Sequence, residues 1–105
     1  MNKKLSERAK VLLWIVAEHT ERDWETGELH RFFVPQSDAY FVRRNGRMDS
    51  SYVSGSRDAN ALKGLERAGL IERPKTSLPN KYVYALTEDG LLAVEQLRES
   101  GEFED

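Results

Sequence analysis

The chain contains no cysteine, only three prolines and only two histidines, and each scarcity removes a class of explanation. Without thiols there is neither a disulfide nor a thiolate metal site. His19 and Asp23 stand at helical i, i+4 spacing. With His30 as the only other histidine and the carboxylates scattered, they do not make a ligand set, so no metal and no cofactor is expected. Long apolar runs are missing too. Val11–Ala17 is far shorter than the roughly 20 residues a membrane helix needs. Lys3 and Lys4 precede this run, but Glu7, Arg8 and Lys10 interrupt the approach and no small-residue cleavage site follows. The expectation is a cytoplasmic protein with no membrane contact, Val11–Ala17 lying in a buried helix. There is no glycine-rich phosphate loop, no G-x-S-x-G and no H-E-x-x-H, and no base is placed beside the serines. An enzyme is therefore not expected.

What remains is a chain of one-domain size, 105 residues, with 39% apolar and 32% charged residues. Its net charge of −2 is unevenly spread. Residues 43–81 hold nine basic and four acidic side chains, whereas residues 82–105 hold one basic and seven acidic. The local field of the middle block, not the total charge, would steer a polyanion, although charged surfaces also fluctuate by segment for no functional reason.

Leu5–Thr20 reads as a first helix with Ser6 at its N-cap and Glu7 in its first turn. Ala9, Leu12, Leu13, Val16 and Ala17 recur at helical spacing, and Val11, Trp14 and Ile15 widen the apolar face. A helix apolar on more than one side often meets a second subunit. Thr26-Gly27 marks a turn, and Leu29–Val34 reads as a short edge strand ending at Pro35. Gln36–Arg44 reads as a helix capped by Ser37 or Asp38 and stopped at Asn45-Gly46. Polar, serine-rich Arg47–Gly55 reads as a long turn or an early start to the next helix. Ser56–Ala68 is the next helix, with Ser56 as N-cap and Asp58 in the first turn. Its Ala61, Leu62, Leu65 and Ala68 face inward, Gly69 ends it, and Gly64 marks a close packing contact. Leu70–Arg73 and Lys81–Leu86 read as strands around a polar turn at 74–80. Thr87 caps a last helix, Glu88–Arg98, with Leu91, Val94 and Leu97 inward, before a frayed acidic tail.

Ala61-Leu-Lys-Gly-Leu-Glu-Arg-Ala-Gly-Leu-Ile-Glu-Arg resembles the recognition helix and first wing strand of winged helix-turn-helix transcriptional regulators. Tyr84-Ala-Leu-Thr-Glu-Asp-Gly is similar to the second wing strand and final helix start of MarR- and PadR-type members. Together the two motifs cover about a third of the chain, in matching order, and Arg47–Gly55 fits neither family's pattern. The resemblance implies a single α+β domain over residues 1–105, mostly helical, with a two- or three-stranded antiparallel wing and a C-terminal helix.

It further implies a homodimer on double-stranded DNA, regulating transcription by occupying an operator. The dimer would use the first helix, the last, or both. The recognition-helix residues would be Ser56, Arg57, Asn60, Lys63 and Arg67, with Arg57 and Asn60 on base edges and Ser56 and Lys63 near phosphates. Wing residues Lys75, Thr76, Ser77, Asn80 and Lys81 would lie on the backbone or in the minor groove. Arg43, Arg44 and Arg47 form a second basic cluster that either touches phosphates or pairs with Asp38 and Asp49. The competing expectation is a winged-helix module that binds protein instead of DNA, which the acidic last third and a pI near 5.7 favour.

Overall fold

The computed structural model describes residues 5–19, 21–22, 29–30, 38–73 and 84–104. The architecture is α+β: among the described residues, three helices pack with small antiparallel sheets. Helix α1 spans Glu7–His19 and starts where the sequence places it, with the Ala9 amide donating to Ser6 Oγ at 3.1 Å. Five consecutive residues, Leu12 to Val16, are buried to 1% exposure or less. The chain itself covers this stretch of the helix. No helix among the described residues is long and apolar enough to cross a membrane.

After α1 come the two-residue strands β1 (Glu21–Arg22) and β2 (Leu29–His30), paired antiparallel. The rest of the expected Leu29–Val34 strand and the Thr26-Gly27 turn lie outside the described residues.

The main departure follows. Asp38–Arg44 is strand β3, not the expected helix, and Arg47–Val53 is strand β4, not a long turn or helix start. The two pair antiparallel from Asp38↔Val53 to Arg44↔Arg47. Asn45-Gly46 is the hairpin turn rather than a helix stop. Both residues have positive φ, 51° and 77°, as a two-residue turn matching the twist of a β-ribbon requires. Tyr40, Phe41 and Val42 are β-formers. Alternation turns Tyr40, Val42 and Arg44 inward and leaves Ala39, Phe41 and Arg43 exposed, a period of two rather than of a helical stripe.

Helix α2 spans Ala59–Arg67, three residues shorter at its start than expected. Asp58, not Ser56, holds the N-cap position, and its side chain makes no cap bond because it is engaged elsewhere. Leu62 and Leu65 are the buried pair of this helix, Ala61 is half-buried and Ala68 is exposed. Gly69 ends it at φ 77°, with the Leu70 amide bonding the Leu65 carbonyl and the Gly69 amide bonding that of Glu66. Gly64 faces open space rather than a packing partner.

Strands β5 (Ile71–Glu72) and β6 (Ala85–Leu86) pair antiparallel, and the rest of the expected strands and the turn at 74–80 lie outside the described residues, apart from Leu70, Arg73 and Tyr84. Helix α3 spans Glu88–Glu99, capped by Thr87, whose Oγ1 accepts from the Gly90 amide at 3.0 Å. Gly90 is obligatory for packing: a Cβ there would lie 2.1 Å from the Leu70 carbonyl oxygen. Strand β7 (Phe103–Glu104) then returns to β3, giving the sheet order β4-β3-β7. The chain end expected to fray is thus built in as far as Glu104. Phe103 is 1% exposed and its ring lies 5.2 Å from that of Trp14.

One core results. It joins α1 to Val42 and Val53 of the hairpin, Leu62 and Leu65 of α2, Ile71, Tyr84 and Leu86 around the short ladder, Val94 of α3, and Phe103.

Candidate nucleic-acid interface

The apolar pattern of α2 fixes which side it shows to solvent. Burial of Leu62 and Leu65 turns Asn60, Lys63, Gly64 and Arg67 outward, and all four are exposed. Their i, i+3, i+4, i+7 spacing makes them one stripe along a helix of nine residues, about 13 Å long. The stripe carries two cations and no acid. Glu66, the helix's only acidic residue, is half-buried to one side with its carboxylate 3.4 Å from Arg73 Nε. None of the ion pairs among the described residues involves Lys63 or Arg67.

Ser56 and Arg57 are exposed too, in the turn between β4 and α2. That turn is held from below. Arg8 of α1 grips Asp58 with two parallel bonds, Nε to Oδ1 at 2.8 Å and Nη2 to Oδ2 at 2.7 Å. The same guanidinium donates to Ser51 Oγ at 2.6 Å and to the Tyr52 carbonyl at 2.7 Å. Asp58 in turn accepts from the Ser54 amide at 3.0 Å, while its own amide donates to the Ser54 carbonyl. Only 4% of Asp58 is exposed, so its charge depends on these partners. The hydrogen bonds from Arg8 outweigh burial and hold its carboxyl below the usual aspartate value, with the Ser54 amide and the nearby Arg57 charge adding to the effect. One planar fork therefore fixes α1, β4 and the start of α2 together. This clamp escaped sequence reading because Arg8 and Asp58 are 50 residues apart and neither is unusual locally.

The second basic cluster divides. Arg44 points to the α1 side of the sheet, pairs with Glu7 and Glu102, and lies 4.9 Å over the Phe103 ring. Arg44's hydrogen bonds hold the Glu102 carboxyl below its ordinary value. That arginine is structural, and its acidic partners are neither Asp38 nor Asp49. Arg43 and Arg47 remain exposed at the hairpin end. The wing residues Lys75, Thr76, Ser77, Asn80 and Lys81 lie outside the described residues. The short ladder β5–β6 that flanks them is described, and Thr87 ties it to the end of α2 through bonds to the Gly69 and Leu70 carbonyls.

The arrangement thus presents a short cationic helix face on a rigid mount, with one amide side chain and one arginine at its leading end. Such a face can bond phosphates and base edges, and it holds no acid–base pair for covalent chemistry. The chain matches no family model, no curated protein and no solved structure.

Proposed function

We propose that the chain is a transcriptional regulator that binds double-stranded DNA, with α2 and its preceding turn as the reading element. The observation that carries this reading is the acid-free outward stripe Asn60, Lys63, Gly64 and Arg67 beside exposed Ser56 and Arg57. An α-helix, about 10–12 Å across with its side chains, fits a major groove about 12 Å wide. Arg57 and Asn60 stand at the N-terminal end, from which base edges are read in helix-turn-helix proteins, and Lys63 and Arg67 follow on the same side for phosphates. A winged helix-turn-helix reading draws support from the order α2, β5, β6, α3. The segment expected to form the first helix of the pair is strand β3 instead, so any groove-spanning support comes from α1 and the hairpin. Operator occupancy, with steric exclusion of polymerase, is the mechanism this implies.

A protein-binding module is the rival, favoured by the exposure of Phe41, Met48 and Tyr52. Anisotropy titration against random-sequence duplexes at two salt concentrations separates the two. The DNA reading expects selectable sequences and affinity that falls steeply with salt, by about one unit of log–log slope for each phosphate contact. Absence of binding at low salt overturns it. Within a selected site, Arg57→Ala is expected to cost about 1–3 kcal/mol and to relax preference at one position. Lys63→Ala is expected to weaken all sequences alike and to reduce the salt slope by about one.

A further inference from the structure

The hairpin has a second face, turned away from α1. Alternation along β3 and β4 places Ala39, Phe41, Arg43, Met48, Ser50 and Tyr52 there, and all six are exposed. Phe41, Met48 and Tyr52 are 66%, 58% and 51% exposed, and they are three of the four large hydrophobic side chains so exposed among the described residues. Scattered singly, such residues need no explanation. Here Phe41 lies diagonally between Met48 and Tyr52, about 7–8 Å from each.

We propose that this face is the contact between two copies of the chain, packed sheet to sheet about a two-fold axis along the ribbon. Three features single out a second copy. First, the face is electrically balanced. Arg43 is the only charge among the six, and its neighbour across the β3–β7 ladder is Glu104. A neutral apolar face is poorly suited to a polyanion, and one basic side chain beside an acid offers little to an acidic peptide.

Second, the face is complementary to itself. Two of its three cross-strand pairs set large against small, Phe41 opposite Ser50 and Tyr52 opposite Ala39, and the third sets Arg43 opposite Met48 at the hairpin end. A two-fold axis running between β3 and β4 lays each β3 over the partner's β4. Phe41 of one copy then seats above Ser50 of the other, and Tyr52 above Ala39, as knobs into gaps, with the sheets about 10 Å apart.

Third, the area is of the right order. Three side chains of this size, half or more open, leave about 350 Å² of apolar surface per copy. The two copies together give about 700 Å², below the roughly 1,200 Å² of standard specific interfaces and in the range of weak, transient contacts. A contact of this size is expected to be weak and concentration-dependent. It supplies the homodimer that the operator reading needs, and it rests on that reading only for its purpose.

Sedimentation equilibrium of the full chain without DNA tests the inference, so its outcome is independent of whether duplex binds. The expected result is a mass rising from one chain to two across the micromolar range. The double variant Phe41→Thr with Tyr52→Thr keeps strand propensity at exposed positions and is expected to weaken the dimer about tenfold or more while thermal unfolding of the dilute monomer stays unchanged. Ser50→Lys, which fills the receiving gap and leaves Phe41 in place, is expected to do the same. A chain that stays monomeric at several hundred micromolar overturns the proposal. So does a dimer that both variants leave intact, because the contact would then lie elsewhere, or a monomer whose Phe41 face is covered by another part of the same chain.

Discussion

At the scale of single residues, Asp58 and Gly90 are the positions where one atom decides most. Asp58 is buried and its charge is matched by Arg8 alone at bonding distance. Replacing Asp58 with alanine leaves the guanidinium without its partner, but that guanidinium is about a third exposed and can turn to water. The expected loss is therefore roughly 1.5–3 kcal/mol, the range for hydrogen bonds to charged groups, rather than the larger penalty of a stranded buried ion. Urea unfolding measures it.

The pH dependence has a definite sign. Asp58 and Glu102 both have carboxyl values lowered by folding, so the folded state holds fewer protons than the unfolded one. Their stabilisation is complete above the ordinary carboxylate values of 3.8 and 4.5, and is lost as pH falls through the lowered ones. Asp58→Asn should flatten the acid limb of stability against pH, and an unchanged limb would remove Asp58 from that role. Gly90→Ala forces a methyl group onto the Leu70 carbonyl and is expected to cost about 1–3 kcal/mol through displacement of α3. A thermal midpoint equal to that of the parent would contradict this.

At the scale of elements, α2 is where stability and the proposed recognition can be separated. Gly64 sits mid-helix in open space, so Gly64→Ala should stabilise the fold by up to about 1 kcal/mol. If α2 enters a groove, the added methyl group meets nucleic acid and not protein. A gain in unfolding free energy accompanied by an altered duplex affinity would place the DNA on that side of α2.

The elements also differ in how readily the chain declares them. Helices α1, α2 and α3 are marked by apolar spacing together with terminal residues such as Ser6, Gly69 and Thr87, all local features. The β3–β4 hairpin is harder to read. Ala-Tyr-Phe-Val is a short apolar run that periodicity alone cannot assign, and solvent-exposed Phe41 reads naturally as one more core residue. Asn45-Gly46 carries the hairpin signal, but glycine after asparagine also ends helices. The start of α2 moved for a different reason. Ser56 and Asp58 are both good caps, but Asp58 is bonded to the distant Arg8 and to the Ser54 amide, and the helix begins at Ala59. Of the proposed interface, Asn60, Lys63 and Arg67 follow from the helix period. The demotion of Arg44 to an internal partner of Glu7 and Glu102 depends on tertiary contacts that no spacing encodes.

At the scale of the whole molecule, α1 is the axis on which the other parts assemble, and three of the four exposed large hydrophobic side chains among the described residues lie on the hairpin's far face. The polar stripe of α2 and the apolar face of β3–β4 are chemically distinct, one suited to phosphates and one to another sheet. The unusual member of this assembly is β7. The hairpin closes on itself across two residues, whereas β7 reaches β3 only by closing a loop from Arg43 to Glu104, with Phe103 arriving beside Trp14.

Loops of that length carry a conformational cost that must be met before their contacts return anything. The hairpin and helices are therefore expected to form in the folding transition state, and β7 to dock on its downhill side. Phe103→Ala should accordingly reveal itself in the unfolding rate more than in the folding rate. Of an expected loss of about 3–5 kcal/mol, most should appear as faster unfolding, with the refolding rate nearly unchanged. A chevron plot reads this directly, and a refolding limb slowed in proportion to the lost stability would show that β7 docks early. On this expectation, the small strand at the far end of the sequence acts as a time lock: it does little to help the fold form and much to determine how long it lasts.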